Sequence, residues 1–168
     1  MKKINWKAFN ETLVIGGKGK MEKDHIGYPW SRMKNLIKTV IIVDGIEAIG
    51  PNAFENFKNI KTVIITANIK SIGDYAFSDC ENLTTITIPD NVTSIGDGAF
   101  WRCTNLASAT IGKSVTIIGN RAFQYCHSLT DMAIKNRAVN ICSKAFDGCC
   151  NLNQITFSQC DDDYDLPF

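Results

Sequence analysis

Seven cysteines are the residues best suited to chemistry, and four of them recur at a regular interval. They are spaced 23 residues apart, at Cys80, Cys103, Cys126 and Cys149. In a chain whose units stack, these sulfur atoms form a row of buried small hydrophobic groups. Disulfides between adjacent coils are the alternative, provided that the Cα atoms come within about 7 Å. Phe57 fills the same column and favours burial, because a phenyl ring neither forms a disulfide nor binds a metal.

A second group of cysteines lies near the C-terminal end, at Cys142, Cys149, Cys150 and Cys160. One disulfide within this group is an open alternative to free thiols. Because the total is odd, at least one thiol stays free or pairs between molecules. Structural zinc sites draw on closely spaced Cys or His pairs, which the regular column does not offer. We therefore predict no metal site.

No pattern of acid, base and nucleophile accompanies the two histidines, His25 and His127. Neither has a partner at motif spacing, and neither Gly-x-Ser-x-Gly nor His-Glu-x-x-His occurs in the sequence. The Gly-Gly-Lys-Gly-Lys stretch at residues 16–20 is superficially similar to a phosphate loop, but Met21 stands where the magnesium-binding hydroxyl belongs. A glycine-rich turn between strands explains that stretch better. We predict that the protein is not an enzyme, with no catalytic residue and no cofactor.

An internal repeat determines which elements carry these residues. The dipeptide Ala-Phe recurs every 23 residues without insertion, beginning at Ala53, Ala76, Ala99, Ala122 and Ala145. The surrounding columns keep the same register, and the unit is Ile-Gly-x-x-Ala-Phe-x-x-Cys-x-x-Leu-x-x-Ile-x-Ile. A unit of this length cannot bury its own apolar face, so neighbouring units must stack and share a continuous core.

Each unit has a strand half and a compact half. The alternation in Leu-x-x-Ile-x-Ile, for example at residues 86–88, is typical of a strand. Residues 97–106 place apolar side chains at i, i+1, i+4 and i+7, which predicts a short helix for which Asp97 is a suitable N-cap. Stacking also predicts a Phe ladder with rings about 4.5–7 Å apart and strands about 4.8 Å apart.

Composition and charge exclude several classes of protein. The chain has 168 residues, 45% of them hydrophobic and 21% charged, with a net charge of +1. These values fit one globular domain and favour neither nucleic-acid binding nor membrane insertion. Residues 1–38 carry nine Lys/Arg against three Asp/Glu, whereas residues 39–168 carry nine against fourteen, partly in the run at residues 161–165. Two solvated ends and head-to-tail attraction between copies both fit this asymmetry.

The repeat unit resembles the BspA-like leucine-rich repeat, also called the Treponema pallidum type. The family pattern is the unit given above followed by a Pro after the last Ile. Residues 72–89 match every named position of it. The resemblance covers about residues 33–157, and residues 13–21 with Pro29-Trp30 resemble the cap that precedes such repeats. The sequence departs from this pattern in three ways. Phe57 replaces the first Cys, Cys142 replaces the last Gly, and only one repeat, at Pro89, keeps the Pro that follows the strand.

The resemblance implies a fold and a class of function. The expected fold is an α/β repeat solenoid, a right-handed superhelix with a parallel sheet on one face, short helical segments on the other and an N-terminal β cap. We divide the chain into a cap segment at 1–36, a solenoid of one partial and five full repeats at 37–157, and an acidic tail at 158–168. The implied function is non-catalytic binding by a surface or secreted adhesion protein of a host-associated microbe. A structural spacer or self-assembly unit is the alternative.

The expected partner is a protein on a host or neighbouring cell, with a glycan as a further possibility and with no nucleic acid or membrane insertion. The expected location is extracellular or at the cell surface, although no secretory signal is visible in the sequence and the cytoplasm stays open. Thr suits a half-exposed strand, so the sheet residues can serve fold alone or binding as well.

The candidate binding residues fall on two faces. On the sheet we predict Thr62, Ile64, Thr85, Thr87, Ser108, Thr110 and Asp131, with Ile41 and Ile64 as an exposed apolar pair. On the outer face the alternative is Trp101 with Tyr125, since exposed aromatic residues are enriched at interfaces. We expect Trp6 and Trp30 to cover the open N-terminal end of the core.

Overall fold

The computed structural model describes residues 4–22 and 27–157, and the predicted acidic tail at 158–168 lies outside them. The described chain has one short 3-10 helix, Ser31–Met33, and β-strands in every repeat. In chain order these are β1 (Ile4–Phe9), β2 (Thr12–Gly17), β3 (Gly19–Lys20), β4 (Thr39–Ile42), β5 (Ile46–Ile49), β6 (Thr62–Ile65), β7 (Ser71–Ile72), β8 (Thr85–Ile88), β9 (Ser94–Ile95), β10 (Ser108–Ile111), β11 (Ile117–Ile118), β12 (Asp131–Ile134), β13 (Asn140–Ile141) and β14 (Ile155–Phe157).

The repeats stack into a solenoid of about six turns. The longer strands form two four-stranded sheets, β1-β2-β4-β6 and β8-β10-β12-β14, and the short strands form a six-stranded sheet, β13-β11-β9-β7-β5-β3. All neighbours pair in parallel except β1 and β2, which are antiparallel. Equivalent residues of successive repeats face one another, as Ser108 faces both Thr85 and Asp131. The parallel sheet implied by the family resemblance is therefore confirmed.

A ladder of phenylalanine rings runs through the core. The side chains of Phe54, Phe77, Phe100 and Phe123 are fully buried. Successive ring centroids lie 5.0, 5.4 and 5.0 Å apart with interplanar angles of at most 13°. Phe146 continues the ladder at 5.5 Å. The predicted spacing is confirmed, and aliphatic side chains of the strands fill the space around the ladder.

The prediction of short helices opposite the sheet is wrong. Between residues 27 and 157, each Ile-Gly-x-x-Ala-Phe segment is a run of β-turns. Within one unit, the N–H groups of Ala76, Ser78 and Cys80 donate to carbonyls three residues earlier. The residue before Ala and the third residue after it have positive φ in all five units, for example 53° at Tyr75 and 56° at Asp79. A right-handed helix does not accommodate such residues, so the chain turns repeatedly.

The remaining N–H groups of these turns bind the next coil instead. Asn52, Phe54 and Asn56 donate to the carbonyls of the following unit at 2.8–2.9 Å, and the next three units repeat the arrangement. We call this stacked surface the turn face and define it by residues 50–57 and their equivalents in the later repeats. Asp97, the suggested helix cap, accepts the backbone N–H of Asn120 in the next coil at 2.7 Å. Its carboxylate joins coils rather than capping a helix.

The sheet is interrupted between β6 and β8, which belong to separate sheets. Val63 and Ile65 of β6 are consequently only partly buried, whereas Val40 and Ile42 of β4 are fully buried. After β4, β6 and β12 the next residue donates its N–H to the preceding strand, as Lys135 does to Ile111 at 3.0 Å. Pro89 occupies that position after β8, and it has no N–H to donate. The 23-residue spacing of the repeat thus continues across a break in the backbone hydrogen bonds between adjacent strands.

The N-terminal segment closes the open end of the core and the turn face. Trp30 is 1% exposed, and its ring lies 5.0 Å from that of Tyr28 and 6.0 Å from that of Phe54. Its indole N–H donates to the carbonyl of Ala53 at 2.9 Å, and the Tyr28 hydroxyl donates to that of Pro51 at 3.2 Å. Burial raises the pKa of the Tyr28 hydroxyl to about 12. Tyr28 and Trp30 thus donate hydrogen bonds to carbonyls of the first turn segment, which has no preceding coil to supply N–H donors.

Candidate functional site

The solvent side of the long strands forms one candidate surface, which we call the sheet face. Residues alternate along each strand between the core and the solvent, as in β8, where Thr85 and Thr87 are exposed and Ile86 and Ile88 are buried. The predicted sheet residues all lie on this solvent side, with side chains that are exposed or half-buried: Thr62, Ile64, Thr85, Thr87, Ser108, Thr110 and Asp131.

The first half of the sheet face is apolar. Val14, Ile41 and Ile64 are register partners across β2, β4 and β6, and Lys7 on β1 ends their row. Phe9, 58% exposed, follows Lys7 along β1 on the same side. Together with Val43, the four hydrophobic side chains form what we call the apolar strip: Phe9, Val14, Ile41, Val43 and Ile64. A contiguous apolar group on the surface, unlike singly scattered hydrophobic residues, is typical of an interaction site.

A concavity of about 260 Å³ opens beside this strip. Its walls include Asn5, Phe9, Val14 and Val43. The glycine at position 16 is required there, because a Cβ on Gly16 would come within 2.7 Å of a Val43 methyl group. The concavity therefore gives an apolar partner side chain a place to insert at the N-terminal end of the sheet face.

The second half of the sheet face is polar and carries few charges. Thr87 and Thr110 face one another across β8 and β10, and Ser108 faces Asp131 across β10 and β12. The Asp131 carboxylate accepts a hydrogen bond from the hydroxyl of Thr130 at 2.8 Å. Hydroxyl groups on a rigid sheet offer donors and acceptors at fixed positions, which suits a polar rim beside an apolar centre.

The predicted aromatic pair of the other face is also present. The rings of Trp101 and Tyr125 lie 6.4 Å apart in an edge-on arrangement on adjacent coils of the turn face. The guanidinium carbon of Arg102 lies 4.7 Å from the centre of the Trp101 ring, a cation–π contact. Tyr125 is 37% exposed, and Trp101 is half-buried. Both therefore remain accessible while their neighbours fix their orientation.

Gln124 is a buried polar side chain beneath these rings. It is 6% exposed, and its amide oxygen accepts the indole N–H of Trp101 at 3.2 Å. Its amide nitrogen donates to the carboxylate of Asp147 at 2.9 Å. Three successive coils are thus joined through side chains of one column, and sequence reasoning missed this link because Ser78 and Glu55 occupy the same column in earlier repeats.

Two glycines create space for tyrosine rings on the turn face. Gly98 has φ +59°, and a Cβ there would lie 2.4 Å from Tyr75 Cε1. Gly148 has φ +74°, and a Cβ there would lie 2.5 Å from Tyr125 Cδ1. Each tyrosine therefore leans across the next coil, where a larger residue would block it.

The cysteine column is a hydrogen-bonded part of the core. The thiols of Cys80, Cys103 and Cys126 are fully buried, which confirms the favoured prediction. Each donates to the phenylalanine carbonyl of the preceding repeat at 3.2–3.3 Å. Burial raises the pKa of all three thiols above the ordinary value. These cysteines are protonated structural groups, not nucleophiles.

The cysteines near the end of the solenoid are less buried. Cys142, Cys149 and Cys150 are free thiols, and Cys160 lies outside the described residues. Cys149, in the last described coil, is only half-buried, and its thiol donates to the Phe123 carbonyl at 3.1 Å as the other thiols of the column do. No disulfide joins the cysteines between Cys80 and Cys150, so neither predicted alternative pairing is present in this part of the chain.

The remaining candidates for chemistry have structural roles. His127 is exposed, and its Nδ1 lies 2.9 Å from the carbonyl oxygen of Gly148, while His25 lies outside the described residues. Residues 16–20 include the end of β2, the single linking residue Lys18 and all of β3, with positive φ at Gly17 and Gly19. Among residues 4–22 and 27–157, no group of three His, Cys, Asp or Glu side chains is arranged to hold a metal ion.

Stacked coils of this length, with a parallel sheet and an Ile-Gly-x-x-Ala-Phe turn ladder, define a leucine-rich-repeat solenoid. The family profile of the BspA type leucine-rich repeat region matches residues 47–162, in 6 copies. That match spans more than half of the chain, which therefore belongs to this family. A comparison with curated protein sequences found no match.

Solved structures of bacterial proteins share the fold. A leucine-rich repeat protein of T. pallidum superposes with a TM-score of 0.66 at 22% identity, over 90% of this chain and 66% of that one. A leucine-rich cell surface protein of Faecalibacterium prausnitzii A2-165 gives 0.60 at 28% identity, over 90% and 52%. A leucine-rich repeat protein of Bacteroides ovatus ATCC 8483 gives 0.56 at 22% identity, over 94% and 52%.

The chain is thus shorter than these relatives and spans between about half and two thirds of their lengths. Within the described ranges, no helix is both long and apolar enough to cross a lipid bilayer. Leucine-rich repeat proteins of this kind are in general protein-binding scaffolds without catalysis.

Proposed function

We propose that the protein is a non-catalytic binding module that holds a protein partner on its sheet face. The observation that carries this proposal is the apolar strip, in which Phe9 is 58% exposed and Ile64 is 43% exposed beside the half-buried Val14 and Ile41. These side chains lie on successive paired strands and are not scattered. A partner that covers them gains the free energy of apolar burial, about 25 cal/mol per Å² removed from water.

The polar half of the sheet face complements this strip. Thr85, Thr87, Ser108, Thr110 and Asp131 would border the contact on one side with hydrogen-bonding groups, as the rim of an interface does. The backbone ladders hold these groups in place before binding, so little conformational entropy is lost when a partner docks. A broad, pre-ordered surface of this kind suits a folded protein better than a small molecule.

We further propose that the protein acts outside the cell or at its surface, in adhesion to a host or neighbouring cell. Two observations support this: membership of the BspA-type family, and 28% identity to a structure described as a leucine-rich cell surface protein. The chain covers 52% of that relative, so almost half of the relative is not matched by this chain.

The test is capture of protein ligands by the immobilised chain. The panel consists of purified extracellular-matrix proteins and whole mammalian cells. The sheet-face variant carries Ile64→Lys, Thr85→Glu and Thr110→Lys, three solvent-side positions of which no two are register partners. Like charges are therefore not placed directly opposite one another on adjacent strands.

The control variant carries Asn68→Lys, Asn91→Glu and Ala138→Lys, at exposed positions away from the sheet face. It makes the same change in net charge. Capture by the parent and the control, with loss in a folded sheet-face variant, is the expected result. Equal capture by all three proteins would remove the sheet face as the site, and no capture by any of them would favour the structural role over adhesion.

A further inference from the structure

We propose that a groove on the turn face binds an anionic saccharide, either carboxylated or sulfated. The groove has a volume of about 390 Å³ and is lined by Tyr75, Trp101, Arg121, Gln124, Tyr125, Lys144 and Asp147. Such a volume lies in the range of about 300–1,000 Å³ that is usual for ligand sites. This site is separate from the sheet face, and it does not depend on the proposed protein partner.

The groove spans several coils, and one column of the turn face supplies three of its lining residues. Tyr75, Arg121 and Lys144 all precede the Ala of their repeats, and Gly98 is the residue of that column between Tyr75 and Arg121. The Tyr75 ring lies over Gly98, and Trp101 stands on the same coil as this glycine. The opening therefore extends across successive coils instead of ending at each one.

Two tyrosine rings provide flat walls. Tyr75 is 38% exposed and Tyr125 is 37% exposed, so each keeps accessible ring surface beside the groove. The electron-rich face of an aromatic ring attracts the partly positive C–H groups on one side of a sugar ring. Arg102 and Gln124 fix the indole of Trp101, which keeps the wall between the tyrosines in place before a ligand arrives.

The charges of the groove favour an anion. Arg121 and Lys144 are exposed, and neither forms an ion pair with any residue between 27 and 157. Asp147, the one carboxylate of the lining, accepts a hydrogen bond from Gln124 at 2.9 Å and points one oxygen into that contact. A guanidinium group binds a carboxylate or sulfate through two parallel hydrogen bonds, and an ammonium group adds a point charge.

A saccharide fits this combination better than an acidic peptide does. Hydroxyl groups of a sugar can donate hydrogen bonds to the Asp147 carboxylate while its anionic group binds Arg121 or Lys144, whereas the acidic side chains of a peptide carry no hydroxyl donors. The polar floor at Gln124 likewise offers no apolar pocket for a peptide side chain.

The experiment measures binding of trigalacturonate and a heparin tetrasaccharide by isothermal titration calorimetry. The trimethyl ester of trigalacturonate has the same rings without the charges and serves as the ligand control. We expect the ester to bind at least tenfold more weakly, and the affinity for the anionic sugars to fall as salt is added. Binding of either the carboxylated or the sulfated sugar supports the site, and the comparison identifies the anion that it prefers.

The variants preserve the backbone of the turns. Arg121 and Lys144 have φ 58°, Tyr75 has φ 53° and Tyr125 has φ 64°, and asparagine tolerates this conformation. We expect Arg121→Asn with Lys144→Asn, and separately Tyr75→Asn with Tyr125→Asn, to weaken binding by about tenfold or more, the loss expected for a charge-assisted contact.

Lys61→Asn with Lys70→Asn removes the same charge at exposed positions outside the groove and should leave the affinity unchanged. Three results would overturn the proposal: equal affinity for acid and ester, unchanged affinity in both groove variants, or no binding of either anionic sugar. Binding of hexaglutamate without either sugar would also overturn it, in favour of an acidic peptide. Because the sheet-face variant leaves the groove intact, failure here is distinguishable from failure of the proposed adhesion function.

Discussion

Ile41 on β4 and Ile64 on β6 are direct register partners in a parallel pair, and both side chains lie on the solvent side of the sheet. A soluble domain rarely places adjacent isoleucines on an exposed sheet without a partner to cover them. Replacing both by Thr keeps a β-branched residue in each strand but removes most of the apolar surface.

We expect Ile41→Thr with Ile64→Thr to reduce the fluorescence of the apolar dye ANS by more than half. The free energy of unfolding should change by only about 0.5 kcal/mol per site, because both positions are at the surface. Ile117→Thr is the matched control, since Ile117 is 38% exposed but lies on β11, outside the apolar strip. Unchanged dye binding in the double variant would show that the strip is not a continuous apolar surface.

Trp30 should stabilise the solenoid through a hydrogen bond as well as through packing. Trp30→Phe retains an aromatic ring beside Tyr28 and Phe54 but leaves the Ala53 carbonyl without its donor. We expect it to lower the free energy of unfolding by about 1–3 kcal/mol, the cost of an unsatisfied buried group. Trp30→Ala should cost about 3–5 kcal/mol, because it also leaves a cavity. Urea denaturation followed by circular dichroism measures both values.

Trp6→Phe is the control for Trp30, because Trp6 is 38% exposed and does not cover the core as Trp30 does. It should change stability by less than about 0.5 kcal/mol. Equal losses in Trp6→Phe and Trp30→Phe would contradict the capping role of the indole N–H.

Gly98 and Tyr75 should be energetically coupled. Gly98→Ala places a Cβ against the Tyr75 ring and also puts a side chain at φ +59°, so we expect a loss of about 1–3 kcal/mol. Tyr75→Asn removes the clash and retains only the backbone cost. The double variant should therefore be more stable than the sum of the single losses predicts, by about 0.5–3 kcal/mol in a double-mutant cycle. Additive losses would show that the ring moves aside freely.

The buried thiols predict loss of stability in alkaline solution. Burial holds the pKa values of Cys80, Cys103 and Cys126 above those of the unfolded chain, so the folded state keeps protons that the unfolded state releases. This contribution is complete below the unfolded pKa of about 8.5 and is lost as the pH rises above it. Each thiol should contribute a slope that approaches about 1.4 kcal/mol per pH unit.

Denaturation between pH 7 and pH 10 measures this slope, and Cys103→Ala should reduce it by about one third of the thiol contribution, since one of three similar groups is removed. In thiol labelling of the folded protein near pH 8, Cys149 and Cys150 should react before the three buried thiols. A pH-independent free energy of unfolding, or rapid labelling of Cys103, would contradict the burial of this column.

The 23-residue period determines much of the fold in advance. Each column of the repeat predicts one ladder of the core, and the Phe and Cys ladders lie where the columns place them. The prediction works because stacking forces equivalent residues of adjacent coils into contact, so the one-dimensional pattern carries three-dimensional information. The domain boundaries at 36 and 157 and the binding residues stay predictions, because a periodic pattern does not identify a ligand.

The helical prediction failed because spacing alone does not separate a helix from successive turns. Ala99, Phe100, Cys103 and Leu106 face the core in both geometries. The difference lies in positive φ at residues such as Arg102, Arg121 and Lys144, whose types do not signal that conformation. Gly98 and Gly148 are clearer signals of positive φ, but they occupy only two of the ten positive-φ positions in the turn segments.

The apolar strip was found only in part, because two of its five residues lie outside the periodic region. Val14 pairs with Ile41 across 27 residues, not 23, and Phe9 is on the antiparallel strand β1. Neither residue belongs to a column. The sequence does signal the role of Tyr28 and Trp30, because each lies 23 residues before the residue whose carbonyl it binds. Neither has the residue type that occupies its column in the repeats.

The most direct test of partner binding on the sheet face is to measure, by surface plasmon resonance, the dissociation constant of a captured protein ligand for three forms of the chain. The forms are the parent, Ile64→Lys and Trp101→Phe. If the sheet face holds the partner, Ile64→Lys should weaken binding by about 30-fold or more, the effect of losing a central interface residue, and Trp101→Phe should match the parent. A dissociation constant unchanged by Ile64→Lys but raised by Trp101→Phe would contradict the account and place the partner on the turn face.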